Sequence, residues 1–430
     1  NMPDSVNPAI DTTEEDALIA LARQVMPAGG FGNVSHTVIV ARGRECRVWD
    51  VAGREYVDYL LGSGPMIVGH AHPEVLAVTQ ACVAEGTTFF ANNPYGIRLA
   101  AEIVDAMPAV EQVRFVSSGS EADMYAMRLM RAFAGKDKIL KFEGGYHGMS
   151  DYGLISTTPK RASNFPEGVA DSAGIPRSVQ QEMLVAPYND LATVAALIKE
   201  HRHELAGIIV EPFQRLIPPE PGFLEGLRQL AMENDIVLCF DEVVTGFRFA
   251  YGGAQAYYGV TPDICTMGKA IGGGFPLAAI GGRADIMAHF DKAAVGEDRF
   301  MTQIGTLSGN PVAAAAGLKT LEILKRPGGY KHMFAQGQAL IDGYKASMQK
   351  HGVAAQIVGD APMFDIVFNQ NKVRDYRSCM GDPALAAKYN AGMRKRGILK
   401  SESKHYMALA HTDADIEQTL RAFDATMAEL

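Results

Sequence analysis

Six short apolar runs constrain this chain more than anything else in it. They are VRFVS (113–117), KILKF (138–142), GIIVEP (207–212), IVLCFD (236–241), DICTMG (263–268) and AAIGGR (278–283). Runs this apolar have no polar face to turn to water, so each reads as a strand covered on both sides. Between them lie segments with helical spacing, such as EADMYAMRLMRAF (121–133) and FLEGLRQLAMEN (223–234). Strands that alternate with helices predict an α/β domain, a mainly parallel sheet flanked by helices.

The flanks read differently. Residues 13–25 have helical spacing with acids first and Arg23 late, and VIVARG, CRVWDV and EYVDYLL read as short strands with a tight turn at Ala52-Gly53. Residues 151–183 are polar and rich in Pro, Gly and Ser. A connection that long is expected to be a functional flap or partly disordered. Asn310-Pro311 opens a helix, and Thr412 to Asp415 opens the last one in the manner of a capping box. With 430 residues, 47% of them hydrophobic, more than one domain is expected. The expected division is 1–72 as the N-terminal part of a small α+β domain, 73–328 as the large domain, and 329–430 as the C-terminal part of the small one.

Formal charge is -9 and no long Lys/Arg run occurs, which argues against nucleic acid and anionic membranes as partners. No apolar run reaches the length of a membrane span, and the N-terminal stretch is polar and acidic, without the apolar core of a leader. The five cysteines follow no pattern, so a reducing, cytoplasmic setting is expected. His70 and His72 in GHAHP have the chemistry of metal ligands. No Cys/His cluster completes such a site, so a structural turn and no metal are expected.

Lys269 lies in TMGKAIGGGFP (266–276), between a buried-looking run and three glycines. Alone it is an ordinary lysine leaving a strand. A lysine at a strand end can also form an imine with a carbonyl when burial or a nearby cation lowers its pKa. Three other stretches change the balance. In FVSSGSEA (115–122) a strand stops at Ser118-Gly119-Ser120 and a helix begins, which suits a phosphate. In VLCFDEVVTGFR (237–248) Asp241 closes a strand at the sheet edge where α/β proteins bind ligands. Its partner is a protonated pyridine nitrogen or, with Glu242, a metal. In EGGYHG (143–148) Tyr146 or His147 offers a face to a planar ligand. Together they specify an aldehyde-bearing pyridine with a phosphate arm, pyridoxal 5′-phosphate (PLP).

The order and spacing of these motifs resemble the class III aminotransferases of the type I PLP fold, closest to the glutamate-1-semialdehyde aminomutase-like branch. The resemblance runs from about Met26 to the C-terminus, most specifically over DEVVTGFRFAYGGAQAYYGVTPD, GKAIGGGFP and GTLSGNP (within 241–311). It implies a large domain with a mainly parallel sheet and a smaller α+β domain made from both chain ends. It also implies that Lys269 forms the internal aldimine, Asp241 pairs with the pyridine nitrogen, and Val243 packs on one ring face. Tyr146 stacks on the other, beside His147; Ser118, Gly119 and Ser120 hold the phosphate; Glu211 sits near the ring hydroxyl. Thr306 reaches the phosphate of a neighbouring subunit, so a homodimer with shared active sites is implied. The partners are then a small-molecule amino donor and a carbonyl acceptor.

The chain departs from the aminomutase pattern in MPAGGFGNVSHTV, where Ser35 stands at the position of the arginine that holds a substrate carboxylate. A serine cannot form that bidentate, charge-assisted pair. SESKHYMALAH (401–411) also lacks the arginine of many class III transaminases, although Lys404 lies there. Arg215, in the short loop after Glu211, or Lys404 is expected to take an anionic substrate group instead. An aminotransferase is therefore expected ahead of an aminomutase, the alternative.

Overall fold

The computed structural model describes residues 9–430, leaving the first eight residues of the polar N-terminal stretch outside the described residues. In chain order the strands are β1 (Val40–Arg44), β2 (Arg47–Asp50), β3 (Glu55–Asp58), β4 (Gln112–Val116), β5 (Lys138–Phe142), β6 (Met183–Ala186), β7 (Leu205–Val210), β8 (Val237–Glu242), β9 (Ile264–Met267), β10 (Ala278–Gly282), β11 (Gln356–Asp360), β12 (Met363–Val367), β13 (Ile398–Leu399) and β14 (His405–Tyr406). Seven of them form one sheet in the order β4-β10-β9-β8-β7-β5-β6. β10 runs antiparallel to both of its neighbours, and the other pairings in this sheet are parallel. The mainly parallel sheet expected from the apolar runs is therefore present.

Neighbouring residues in these strands go to opposite sides. Ile139, Ile209, Cys239 and Ile264 join the apolar cluster that includes Ala122, Ala126, Met127 and Met130 of the helix Gly119–Ala134. Leu140, Ile208, Phe240 and Cys265 join the larger cluster on the other face. A two-residue period with both faces covered produces this split. Each fully buried side chain of this size contributes about 1.5–3 kcal/mol.

Two smaller sheets come from the ends of the chain. β1, β2, β3 and β13 form one, in which Ile398 pairs in parallel with Val57, and β11, β12 and β14 form the other. The helix Gly329–Lys350 packs on the last helix, Asp413–Glu429, through Tyr344 and Phe423, stacked at 3.7 Å between ring centroids. The expected caps are made: Asn310 Oδ1 accepts the Ala313 amide at 3.0 Å, and Thr412 and Asp415 form a reciprocal box. The run EYVDYLL stops being a strand at Asp58 because its Oδ1 accepts the amides of Leu60 and Leu61, which turns the chain.

The long polar connection ends in a strand that sequence patterning missed. MLVA is only four residues long, too short to show a period, yet all four are buried as β6 at the sheet edge. Earlier in the connection, Asp171 Oδ2 accepts the amides of Thr157 at 2.5 Å and Thr158 at 2.8 Å. Beneath it the fully buried Lys141 donates to the carbonyls of Gly145, at 3.1 Å, and Ile155. A second buried cation joins distant segments. The Arg248 guanidinium donates to the carbonyls of Gly64 (2.7 Å), Pro362 (3.2 Å) and Met407 (2.7 Å). Among the described residues no helix is long and apolar enough to cross a membrane.

Candidate active site

Lys269 follows β9 after a single residue, Gly268, and has φ of +48°, a left-handed backbone that costs a residue with a Cβ about 1 kcal/mol or more. Its Nζ donates to the Ser63 carbonyl at 2.7 Å. Burial pushes the amine below the usual lysine range, the charges of Lys404 and Arg248 push the same way, and Tyr406 and Asp241 oppose them. The glycines that follow have a packing reason. Gly273 takes φ of +59°, and a Cβ there would lie 2.5 Å from the Ala316 carbonyl carbon. A Cβ on Gly317 would lie 1.8 Å from the Ile271 oxygen. The loop after Lys269 thus lies flush on the helix Pro311–Lys325, which fixes the lysine at the strand end.

Asp241 lies near the end of β8 and is buried. Its Oδ2 meets His147 Nδ1 at 2.8 Å, and its Oδ1 accepts the Val243 amide at 3.0 Å. Burial alone would raise its carboxyl. The hydrogen bond and charge of His147 outweigh burial, helped by the neighbouring Asp123 and by the Val243 amide, and hold it below the usual carboxylate range. His147 Nδ1 therefore carries the proton, because an ionised carboxylate only accepts. Glu242 points to the other side of the strand, where it accepts from Gln255 Nε2 at 2.7 Å and Thr245 Oγ1 at 3.0 Å. The two carboxylates face opposite sides of the strand and have separate partners, which argues against the Asp241–Glu242 metal reading.

Ser118 caps the helix Gly119–Ala134 by accepting the Glu121 amide at 3.2 Å, so Gly119 and Ser120 carry the first helical amides, which have no intrahelical acceptor. Val243 ties this helix start to the other two motifs. A Cβ on Gly119 would lie 2.9 Å from Val243 Cγ1, and one on Gly268, beside Lys269, 3.2 Å from it. Tyr146 is 40% exposed, so its ring is open to a ligand, and its amide donates to Glu211 Oε1 at 2.7 Å. Burial raises the Glu211 carboxyl, against the pull of His147. Arg215 stands 5.8 Å from the Tyr146 ring, and Lys404 stands 5.6 Å from the ring of Tyr406.

Other expected residues lie elsewhere. Ser35 donates through its hydroxyl to Glu402, and among the described residues no contact joins it to the Lys269–Asp241 cluster. Thr306 is exposed in the loop before Pro311. His70 pairs with Asp58 at 2.7 Å and His72 caps the helix Pro73–Glu85, which gives both the structural roles expected.

Sequence reasoning missed several groups. Tyr406 is buried, with Arg248 5.3 Å from its ring. Burial would raise its phenol, but Lys404, Lys269 and Arg248 pull it down to about 8. Arg377 forms a two-point pair with Glu143 at 2.8 and 3.0 Å, and the Tyr376 ring lies against Gly144, so a loop from the C-terminal region closes over the turn that carries Tyr146. Asp123 joins Asp241 and His147 in a buried trio. One signal marked it: Asp123, Ala126, Met127 and Met130 share one helix face, so an acid stands in an apolar stripe.

PLP fits this donor set: an amine held below the usual lysine range, a carboxylate at a strand end, a partly open aromatic ring and a free helix start. A family model described as aminotransferase class-III matches residues 31–427. An omega-transaminase from Sphaerobacter thermophilus shares 33% identity at a TM-score of 0.92, over 98% of each chain. A β-phenylalanine aminotransferase from Variovorax paradoxus shares 30%, at 0.84, over 96% of this chain and 93% of its own. A glutamate-1-semialdehyde aminomutase from Pseudomonas aeruginosa PAO1 shares 23%, at 0.86, over 97% of this chain and 94% of its own, a likeness of fold alone. The sheet, the chain-end sheets and the match over nearly the whole length agree on one assignment. The chain belongs to the class III aminotransferases of the type I fold, PLP-dependent enzymes that move an amino group from a donor to a carbonyl acceptor.

Proposed function

We propose that Lys269 is the cofactor-bearing and proton-moving residue of a transaminase whose donors are ω-amines or β-amino acids. The convergence of Lys269, Asp241 and the Ser118–Ser120 helix start around Val243 carries the first half of this reading. The named activities of the similar omega-transaminase and β-phenylalanine aminotransferase support the second. When bound, PLP supplies a protonated ring that accepts the electrons left as a proton leaves the carbon bearing the donor's nitrogen. Asp241 keeps the ring nitrogen protonated, and His147 keeps Asp241 aimed. Tyr146 and Val243 cover the two ring faces, with Glu211 holding the Tyr146 amide. Ser118, Gly119 and Ser120 receive the phosphate. The Lys269 amine, held below its usual range, takes the proton from the reacting carbon and returns it one position away.

Arg215 and Lys404 have no carboxylate partner among the described residues, which supports a role in receiving an anionic substrate group. Ser35 is engaged by Glu402, which argues against the carboxylate anchor of an aminomutase and against placing the chain in that branch. Thr306 lies beside Ile304 (74% exposed) and Leu307 (46%), with Phe90 (68%) at a cavity of about 470 Å³ whose wall mixes apolar residues such as Phe115 and Ile304 with polar ones such as Asn92, Arg114 and Gln303. The exposed side chains of Phe90, Ile304 and Leu307 support a homodimer in which Thr306 reaches the neighbouring cofactor's phosphate. The five unpaired thiols, four of them buried, support a cytoplasmic setting. The domain division at 72 and 328 is part of the same proposal.

A donor panel followed by the cofactor's absorbance tests the reading. A transaminase consumes an external keto acid or aldehyde in step with product. Turnover of a single substrate without an acceptor would make the enzyme an aminomutase, and reaction with α-amino acids alone would remove the proposed donor class.

A further inference from the structure

The cluster around Asp241 holds an acid that the mechanism does not use. Asp123, on the first turns of the helix Gly119–Ala134, is 2% exposed. One oxygen each of Asp123 and Asp241 and one ring nitrogen of His147 lie within 4.8 Å of one another. Thr266 stands between the acids, its Oγ1 2.7 Å from Asp123 Oδ1 and 3.3 Å from Asp241 Oδ1. A hydroxyl donates one proton, and the shorter distance gives it to Asp123. Two carboxylates this close in a dry site cannot both stay ionised at neutral pH. Their partners decide which does. Asp241 has a ring N–H and a backbone amide, whereas Asp123 has only the Thr266 hydroxyl among the described residues. Burial first, then the Asp241 charge, pushes the Asp123 carboxyl well above its usual range; Glu211 adds to this, and the buried Cys239 faces the same cluster.

We propose that Asp123 is a neutral carboxylic acid that donates its proton as a hydrogen bond to Asp241, a positioning residue that leaves Asp241 the single negative charge beneath the cofactor's ring nitrogen. The inference rests on the reading of Asp241 as the partner of that nitrogen. Asn at position 123 keeps a donor of the same shape, whereas Ala removes it.

Infrared spectroscopy of the holoenzyme grown with [4-¹³C]aspartate reads the proton directly. At pH 7.5 a carboxylic-acid carbonyl band should shift with the label in the wild-type chain and be missing in Asp123→Asn. The isotope arm needs no variant to fold. A wild-type spectrum without a label-sensitive acid band overturns the inference, as does a band that persists in Asp123→Asn. Equilibrium dialysis reads the consequence. Asp123→Ala should weaken PLP binding roughly ten-fold or more, as for loss of a hydrogen bond to a charged group, while Asp123→Asn stays close to wild type. Equal affinities for Asp123→Ala and wild type overturn the positioning role. Asp241→Asn run alongside separates the two failures: if it too is silent the ring-nitrogen reading falls, and if it weakens binding only the role of Asp123 falls.

Discussion

The inner and outer halves of the proposed active site are built differently. The inner half is Asp241, His147, Asp123 and Thr266, all buried: Asp241 and Thr266 on strands, Asp123 on a long helix, and His147 on the loop after β5, tied down by Asp241. The outer half is Tyr146, Arg215 and Lys404, which stand on loops and are partly exposed. Inner groups have assigned hydrogen-bond partners before any ligand arrives. The side chains of the outer cations have none among the described residues. A rigid interior suits a cofactor that does not change, and an open rim suits substrates that differ between enzymes of one fold.

The largest effect that separates the halves is Lys269→Ala, which should lower amino transfer by at least about 10²–10⁴-fold while the fold survives. Stopped-flow absorbance of the half-reaction measures it, and a variant that still turns over would place the proton transfer elsewhere.

Arg248→Met is next and tests the framework under the inner half. It strands the buried carbonyls of Gly64 and Met407, at about 1–3 kcal/mol each, while Pro362 keeps the Met407 amide, so the urea midpoint should fall by an equivalent of about 2–6 kcal/mol. An unchanged midpoint would show that water reaches those carbonyls.

Lys141 gives a pH test of the floor beneath Tyr146. Burial pushes its amine down to about 7, against an ordinary lysine in the unfolded chain. Between those two pKa values the unfolded chain holds a proton that the folded chain releases, so stability rises with pH across that window, and below it the penalty is constant. Wild type should gain on the order of 2 kcal/mol relative to Lys141→Met between pH 7 and 9.5, read from urea midpoints. Parallel curves would mean that Lys141 titrates as in water.

The smallest effect belongs to the rim. Arg215→Ala should reduce kcat/KM for carboxylate-bearing donors by about ten-fold and leave uncharged amines unaffected, with the difference shrinking at high salt. Equal losses for both donor types would assign Arg215 to packing on Tyr146 instead.

Legibility followed the same divide. Asp241 and Lys269 stood out in the sequence because each lies at the end of an apolar run, and a polar residue at the end of a buried strand is conspicuous in one dimension. Ser118–Ser120 stood out because strand, glycine and helix follow one another without a gap. Tyr406, Arg248 and the Arg377–Glu143 clamp were not, since their partners lie more than a hundred residues away and nothing local marks them. Ser35 shows what a pattern leaves out: its hydroxyl meets Glu402, a neighbour that the local sequence does not announce. β6 escaped because four residues cannot display a period.

The parallel pairing of β3 with β13 has a consequence for biosynthesis. Val57 leaves the ribosome some 340 residues before Ile398, its partner. At about 5–20 residues per second, that is roughly 20–70 s during which a nascent strand waits with one edge bare. An edge left open that long invites pairing with other chains, so yield in cells should depend on whatever shields the emerging N-terminal hairpins until translation is nearly complete.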